Sequence, residues 1–334
     1  MTRPEGVLAI NREMARQQED ALASFRSRSD VVLQAAASLN RTKKLLLLGM
    51  GGSHALGRAV EPLYRRLGID AIALPLSEQL GAPLALEGRT VFITSQSGES
   101  AEVLRWFAET GGNAETFGFT LEENSFLART TPCLLGQGGT EQAFAATRSL
   151  TVSFALHLAI FAALGEDVSQ ALDALENPQE PAIDAALATL STVCAVVTSG
   201  RRMQGLAETI ALGFAELSRI PCFSLEGGQL RHGPMEMLSP DVGVVLFRSD
   251  DATTDLVTAM AVSVVEAGAK IVVLDASGRP SVPGATTIVF PPLTGLAAVF
   301  AILPTAQRLM IAFAAARVKN AGTPVRSTKI TRSE

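Results

Sequence analysis

Twice along this chain of 334 residues, short apolar runs ending in Gly or Ser alternate with stretches of helical periodicity, and that rhythm limits the fold more than any other feature. In the first half, "KKLLLLGMGGS" (43–53) carries an apolar run to Gly49, and "ALGRAVEPLYRRLG" (55–68) follows with helical spacing closed by Gly68. "IDAIALPL", "TVFITS", "ETFGFT" and "PCLLG" supply further strand-like runs, several of them separated by helical stretches. "GEDVSQALDALENPQEP" (165–181) interrupts the pattern, and its Pro178 and Pro181 mark a connection. The rhythm then restarts. "VCAVVTSGRRMQGLAETIALGFAEL" reads as strand, loop and helix, and "VGVVLFRSDD", "KIVVLDASG" and "TTIVF" as further strands. This is the pattern of an α/β protein, an open parallel sheet with helices on both faces, built twice. Residues 1 to about 40 read as helix, with Met14, Leu22 and Phe25 spaced among charges. The expected organisation is a helical segment over 1–40, α/β domains over 41–170 and 185–318, and a tail over 319–334.

Composition narrows the function classes. A hydrophobic fraction of 47% and a mean hydropathy of +0.27 argue for folded domains rather than disorder. Two apolar stretches, Leu150–Gly165 and Leu293–Ala316, are expected to be buried helices. The first is short and contains His157, and the second is interrupted by Pro304, Gln307 and Arg308, so neither offers the ~20 apolar residues of a membrane span. The N-terminus has no apolar core of the signal-peptide kind. A cytoplasmic protein without a membrane partner is expected. Cys133, Cys194 and Cys222 are too few and too dispersed for a disulfide framework or a metal set. The formal net charge of −5 offers no basic face for nucleic acid, so an anionic ligand would have to be caught by local geometry.

Two loops have that geometry. In parallel sheets ligands bind beyond the carboxyl ends of strands, where the next helix presents free backbone N–H groups and its positive dipole end. "GMGGSHALG" places Gly49, Gly51, Gly52 and Ser53 there, and "TSQSGES" places Ser95, Gln96, Ser97 and Ser100 there. Glycine lets the backbone approach an anion, and hydroxyls donate to it. Neither loop carries a P-loop Lys or the dinucleotide fingerprint, which favours a phosphomonoester over a nucleotide. Among the three histidines, His232 precedes Gly-Pro in a loop and is the candidate for chemistry. His157 reads as a packing residue and His54 as part of a helical first turn.

"GMGGS", "SQSGES", "GGTEQAFAATRSLT", "EGGQLRHGPMEML" and "PVRSTKITRSE", in that order, resemble the sugar isomerase (SIS) family. The likeness is strongest to the isomerase half of glucosamine-6-phosphate synthase, and runs from about residue 40 to the end. It implies two SIS domains, each a flavodoxin-like three-layer αβα unit, joined as a homodimer. Position by position, it implies that Ser95, Gln96, Ser97 and Ser100 bind phosphate. Gly52, Ser53 and the position of Ala146 would contact sugar. Glu216 would shuttle a proton between C1 and C2. His232 would open the ring, reaching across the dimer interface, and Lys329, five residues after Pro324, would meet the open-chain carbonyl. No cofactor or metal is implied.

Those roles are chemically coherent. A partly buried carboxylate can pass a proton between adjacent carbons through an enediol or enolamine. An imidazole can carry the ring-opening proton, and a flexible Lys can bind a carbonyl oxygen or form a Schiff base.

The chain opens Met-Thr, without the Met-Cys of a glutaminase nucleophile, so the resemblance implies an isomerase half standing alone. Two positions depart from the synthase pattern: Gly213 stands where it has a lysine, and Ala146 where it has a sugar-contacting serine. The expected activity is therefore an aminosugar-6-phosphate deaminase/isomerase, with a ketose/aldose phosphate isomerase or a fructosyl-amine 6-phosphate deglycase as the alternatives. A non-catalytic sugar-phosphate sensor is the alternative of another class.

Overall fold

Three helices open the chain, α1 (Glu5–Met14), α2 (Gln17–Arg26) and α3 (Asp30–Thr42), where the sequence reads as one. The computed structural model describes residues 4–27, 29–112 and 115–332. No Gly or Pro marks the break after Met14, which is why periodicity alone does not find it. The chain divides into two compact units. Of the described residues, the first contains those within 11–172 and 325–332, and the second those within 4–10 and 173–324. Each described terminal segment thus belongs with the half of the sequence farther from it.

The first unit continues with β1 (Lys44–Gly49), α4 (Gly52–Arg66), β2 (Asp70–Pro75), α5 (Leu76–Gly81), β3 (Thr90–Thr94), α6 (Ala101–Thr110), β4 (Thr116–Thr120), α7 (Phe126–Thr130), β5 (Cys133–Leu135) and α8 (Arg148–Ala163). Its strands are all parallel, in the order β2-β1-β3-β4-β5. Alternation along the strands feeds two apolar layers. Leu46, Leu48, Val91 and Ile93 pack with Val103, Trp106 and Leu127. On the other face the Phe92 ring meets Tyr64 of α4, and the Phe119 ring stacks on His157 of α8. Each wholly buried Leu, Val or Phe contributes about 1.5–3 kcal/mol relative to exposure.

α9 (Ser169–Glu176) occupies much of the stretch expected to be a connection. The second unit then runs α10 (Asp184–Thr189), β6 (Ala195–Ser199), α11 (Gln204–Ser218), β7 (Cys222–Ser224), α12 (Gly227–Arg231), a 3₁₀ turn (Pro234–Met237), β8 (Val242–Ser249), α13 (Thr254–Glu266), β9 (Lys270–Ala276), β10 (Thr286–Val289) and α14 (Gly295–Ala315). Its order is β10-β9-β8-β6-β7, again wholly parallel. Numbered from its own first strand, this is 2-1-3-4-5, the same order as in the first unit and that of flavodoxin-like sheets.

α14 corrects one expectation. It runs unbroken through Pro304, so a helix long and apolar enough to cross a membrane is present, and its core-facing window is almost wholly buried in the protein. α8 is buried along nearly its whole length.

Candidate anion site at the first sheet

The strand order reverses between β1 and β3, and their register sets Gly49 beside Thr94. Both glycine- and serine-rich loops therefore leave the sheet at its topological switch point, the place where ligands bind in open α/β sheets. After β1, Gly51 takes φ 51 and ψ −123, which turns the chain into α4, with Gly52 and Ser53 half-buried in its first turn. His54 follows in the same turn. Burial, then the neighbouring Arg58, holds its pKa below the usual value, so it is neutral near pH 7.

The serine loop is wound on its own hydroxyls. Ser95 Oγ accepts the Gly98 N–H at 3.2 Å, and Ser97 Oγ accepts the Glu99 N–H at 3.2 Å. Gly98 sits at φ +62, and a Cβ there would lie 2.6 Å from Ser125 Cβ, so only glycine allows the loop to close on α7. The Glu99 carboxylate is turned away to cap α7, accepting the Phe126 N–H at 2.6 Å. Ser100 is the N-cap of α6 but makes no capping bond with its side chain.

The loop before the N-terminus of α6 carries a set of donors. Both hydroxyls of Ser95 and Ser97 already accept, so their O–H protons are free to give. The Gln96 Nε2 amide is buried without a partner. Ser95 and Ser97 are themselves more than nine-tenths buried. Buried donors before the N-terminus of a ten-residue helix make a candidate anion site, although that helix also carries the buried Glu102 in its first turn.

The matching position of the second sheet is closed by its own chemistry. After β8, Asp251 takes the Ser249 hydroxyl at 2.5 Å and both the backbone N–H and hydroxyl of Thr253 at 2.6 Å. A carboxylate already occupies the donors of that loop, so of these two matching loops the one in the first sheet is the candidate anion site.

Two further segments of the first unit meet one another, and one of them reaches the first residue of α6. Residues 136–147 are organised by Glu141, whose side chain is fully buried. Its Oε1 accepts from Thr147 N, Thr147 Oγ1 and Arg148 N at 2.8–3.0 Å, and its Oε2 from Ser149 Oγ at 2.6 Å. The Arg148 side chain, also buried, pairs with Glu13 at 2.7 Å and Asp20 at 3.0 Å. Glu13 remains ionised below the usual carboxylate range: burial opposes this, but the Gln142 N–H and the Arg148 guanidinium outweigh it. Ala146 lies half-buried on this loop. The tail brings Lys329 Nζ to 3.2 Å from Glu141 Oε2, and the Thr331 carbonyl accepts the Ala101 N–H at 3.0 Å.

The first unit thus gathers Gly52, Ser53, Ser95, Gln96, Ser97, Ser100, Ala146 and Lys329. Glu216 and His232 belong to the second unit. Glu216 lies part-buried on α11. His232 is exposed at the end of α12, before Gly233 at φ +109. α12 is itself fixed by Glu226, which caps it through the Gly228 N–H at 2.7 Å and pairs with Arg201 at 2.8 Å. Gly213 lets α14 approach α11: a Cβ there would overlap the Met310 thioether.

Sequence reasoning missed Glu141. The signal available was an acidic residue shortly before Thr-Arg-Ser and a long apolar helix, where a carboxylate can satisfy free N–H groups. Among the described residues no group of three or more His, Cys, Asp or Glu side chains is arranged to hold a metal.

Residues 172–315, the span of the second sheet, match the model of the SIS domain. The chain contains a SIS domain. It is homologous to the isomerase domain of glutamine–fructose-6-phosphate aminotransferases. The enzyme of that name from Sulfolobus acidocaldarius is 25% identical over 274 residues, 78% of this chain and 46% of the relative. The chain thus spans less than half the length of the curated relatives it matches.

Solved structures carry the same fold over almost the whole chain. The C-terminal domain of glucosamine-fructose-6-phosphate aminotransferase from Francisella tularensis superposes with a TM-score of 0.82 at 18% identity, covering 92% of this chain and 96% of that one. Tagatose-6-phosphate ketose/aldose isomerase from Escherichia coli gives 0.79 at 19%, covering 96% and 97%. Glucosamine-6-phosphate deaminase from Thermotoga maritima gives 0.73 at 20%, covering 93% and 99%. Beyond the matched SIS domain, the first sheet repeats its strand order and carries the donor-lined loop.

Proposed function

We propose that the chain is a phosphosugar-processing enzyme built of two SIS domains, and that it deaminates and isomerises an aminosugar 6-phosphate. The observation that carries this reading is the serine loop: a buried, donor-rich loop without a Lys fits a phosphomonoester. In this reading Ser95, Gln96, Ser97 and Ser100 hold the monoester, and Gly52, Ser53 and Ala146 border the sugar. His232 moves the proton from the C1 hydroxyl to the ring oxygen, contributed across a homodimer interface. Glu216 takes the proton from C2 and returns it at C1, converting the C2 amine to a ketimine. Water adds to the ketimine, ammonia leaves, and a ketose phosphate remains. Lys329 binds the open-chain carbonyl oxygen. The enzyme would work in the cytoplasm without a cofactor.

Gly213 favours a second reading, a plain ketose/aldose phosphate isomerase. Met310 packs against the position where the synthase has a lysine, so that enzyme's full reaction is not supported here.

Incubation with a panel of hexose and hexosamine 6-phosphates, following ammonia and ketose together, separates the two. Ammonia in step with ketose supports deamination, and ketose alone supports isomerisation. Binding without turnover of any member would leave only a sensor. In the active case Glu216→Gln abolishes turnover and retains binding, whereas Ser97→Ala chiefly raises KM, since a phosphate contact is made in ground and transition states alike. Turnover by Glu216→Gln would refute the assigned role.

A further inference from the structure

The C-terminal segment has little to hold it. Residues 323–328 are all exposed, and only Lys329 and Ile330 are half-buried before exposure resumes at Thr331. Three hydrogen bonds join the segment to the body of the first unit: Lys329 Nζ with Glu141 Oε2 at 3.2 Å and the Phe144 carbonyl at 3.3 Å, and the Thr331 carbonyl with the Ala101 N–H at 3.0 Å.

Glu141 is unusual on the other side of that contact. Its carboxylate is wholly buried and has four neutral donors from Thr147, Arg148 and Ser149. The Arg148 guanidinium is committed to Glu13 and Asp20, and Arg148 reaches Glu141 through its backbone N–H. Among the described residues the cation paired with Glu141 is Lys329. A buried carboxylate is costly without a counter-charge, so the tail is drawn in by the charge it neutralises.

We infer that Glu141 is the positioning residue for Lys329, and that this ion pair holds the segment 325–332 against the N-terminal end of the serine-loop helix α6. The pair fixes the ammonium two residues before the carbonyl that Ala101 binds, so both contacts form or break together. That Lys329 then faces substrate rests on the proposed function; the tether itself does not.

Hydrogen exchange read by mass spectrometry on the full chain, without any ligand, tests the tether. Lys329→Met and Glu141→Gln should each accelerate exchange over 326–332 by about 10- to 100-fold, the weight of one charge-assisted hydrogen bond. The double variant should add nothing to either. Lys329→Arg, which keeps the cation, should restore most of the protection. Thr147→Val removes a donor to Glu141 but no counter-charge, and should leave tail exchange as in the parent.

An unchanged tail in Lys329→Met, additive effects in the double variant, or a Thr147→Val tail as fast as Glu141→Gln would each overturn the inference. Should Glu141→Gln fail to fold, the two Lys329 variants decide alone. With any phosphosugar that is turned over, Lys329→Met and Glu141→Gln should lower kcat by the same factor with KM within about threefold. Absence of turnover would remove the proposed function and leave the exchange result standing.

Discussion

His157 should make the first unit sensitive to mild acid. Its imidazole is wholly buried, stacked on Phe119 with ring centroids 4.5 Å apart, and its Nδ1 shares a hydrogen bond with the Tyr64 hydroxyl at 2.9 Å. Its Nε2 is buried without a partner. A cationic ring would need acceptors on both nitrogens in an aromatic pocket that offers none to Nε2. Burial accordingly lowers its pKa to about 3.

The unfolded chain binds that proton near pH 6.5 and the folded chain refuses it, so stability is complete above the unfolded value and is lost as pH falls through it. From pH 7.5 to 4.5 the loss is about 2.5 kcal/mol, at 1.36 kcal/mol per unit below the unfolded pKa. This is a large part of the roughly 5–15 kcal/mol that holds a domain folded. The window stops at 4.5 because Glu13, Glu115 and Glu122, all held below the usual carboxylate range, lose their own contributions as pH falls further.

The assay is urea unfolding followed by the fluorescence of Trp106, the single tryptophan, which is buried in the same unit as His157. His157→Phe leaves the Tyr64 hydroxyl unpaired, at a cost of about 1–3 kcal/mol. That cost is constant over the window, because burial raises the Tyr64 pKa well above its usual value and the phenol stays neutral. The variant should therefore start less stable and lose about 2.5 kcal/mol less on acidification, keeping only the smaller contribution of His54 and other groups. Parallel loss in parent and variant would refute the assignment.

Two other substitutions test the site's construction. Gly98→Ala forces a Cβ against Ser125 at positive φ, and should weaken inorganic phosphate binding at least about tenfold by calorimetry. Gly88→Ala, at φ +66 with open space around it, should cost only about 1 kcal/mol in stability and leave phosphate binding unchanged. Arg148→Met strands the Glu13 and Asp20 carboxylates and should lower the stability of the first unit by about 3–5 kcal/mol in the Trp106 assay. A loss under about 1 kcal/mol there would mean that the buried ion cluster does not hold α1, α2 and the 136–147 loop together.

The alternation of strand and helix was legible because buried parallel strands are written as unbroken apolar runs, such as Leu45–Leu48 and Val242–Phe247. β7 was not, since Cys222–Ser224 is a three-residue edge strand with no run to see. Pro304 misled because a long helix packed on both sides can lose one backbone hydrogen bond and continue. The exchange of termini between units left no local mark at all: nothing in "PVRSTKITRSE" says that it returns to the first sheet.

At the site, loop composition revealed where donors lie but not whether they are free. The two sheets share one strand order and both carry hydroxyls at the switch point, so fold alone would allow an anion at either. The difference is one side chain. In "SQSGES" the acidic residue, Glu99, turns outward to cap α7, whereas in "RSDDATT" Asp251 turns inward and takes the hydroxyls itself. Which way a carboxylate turns depends on the N–H groups that the neighbouring helix leaves unpaired. That is a property of packing, and it separates the loop proposed to hold a phosphate from its counterpart.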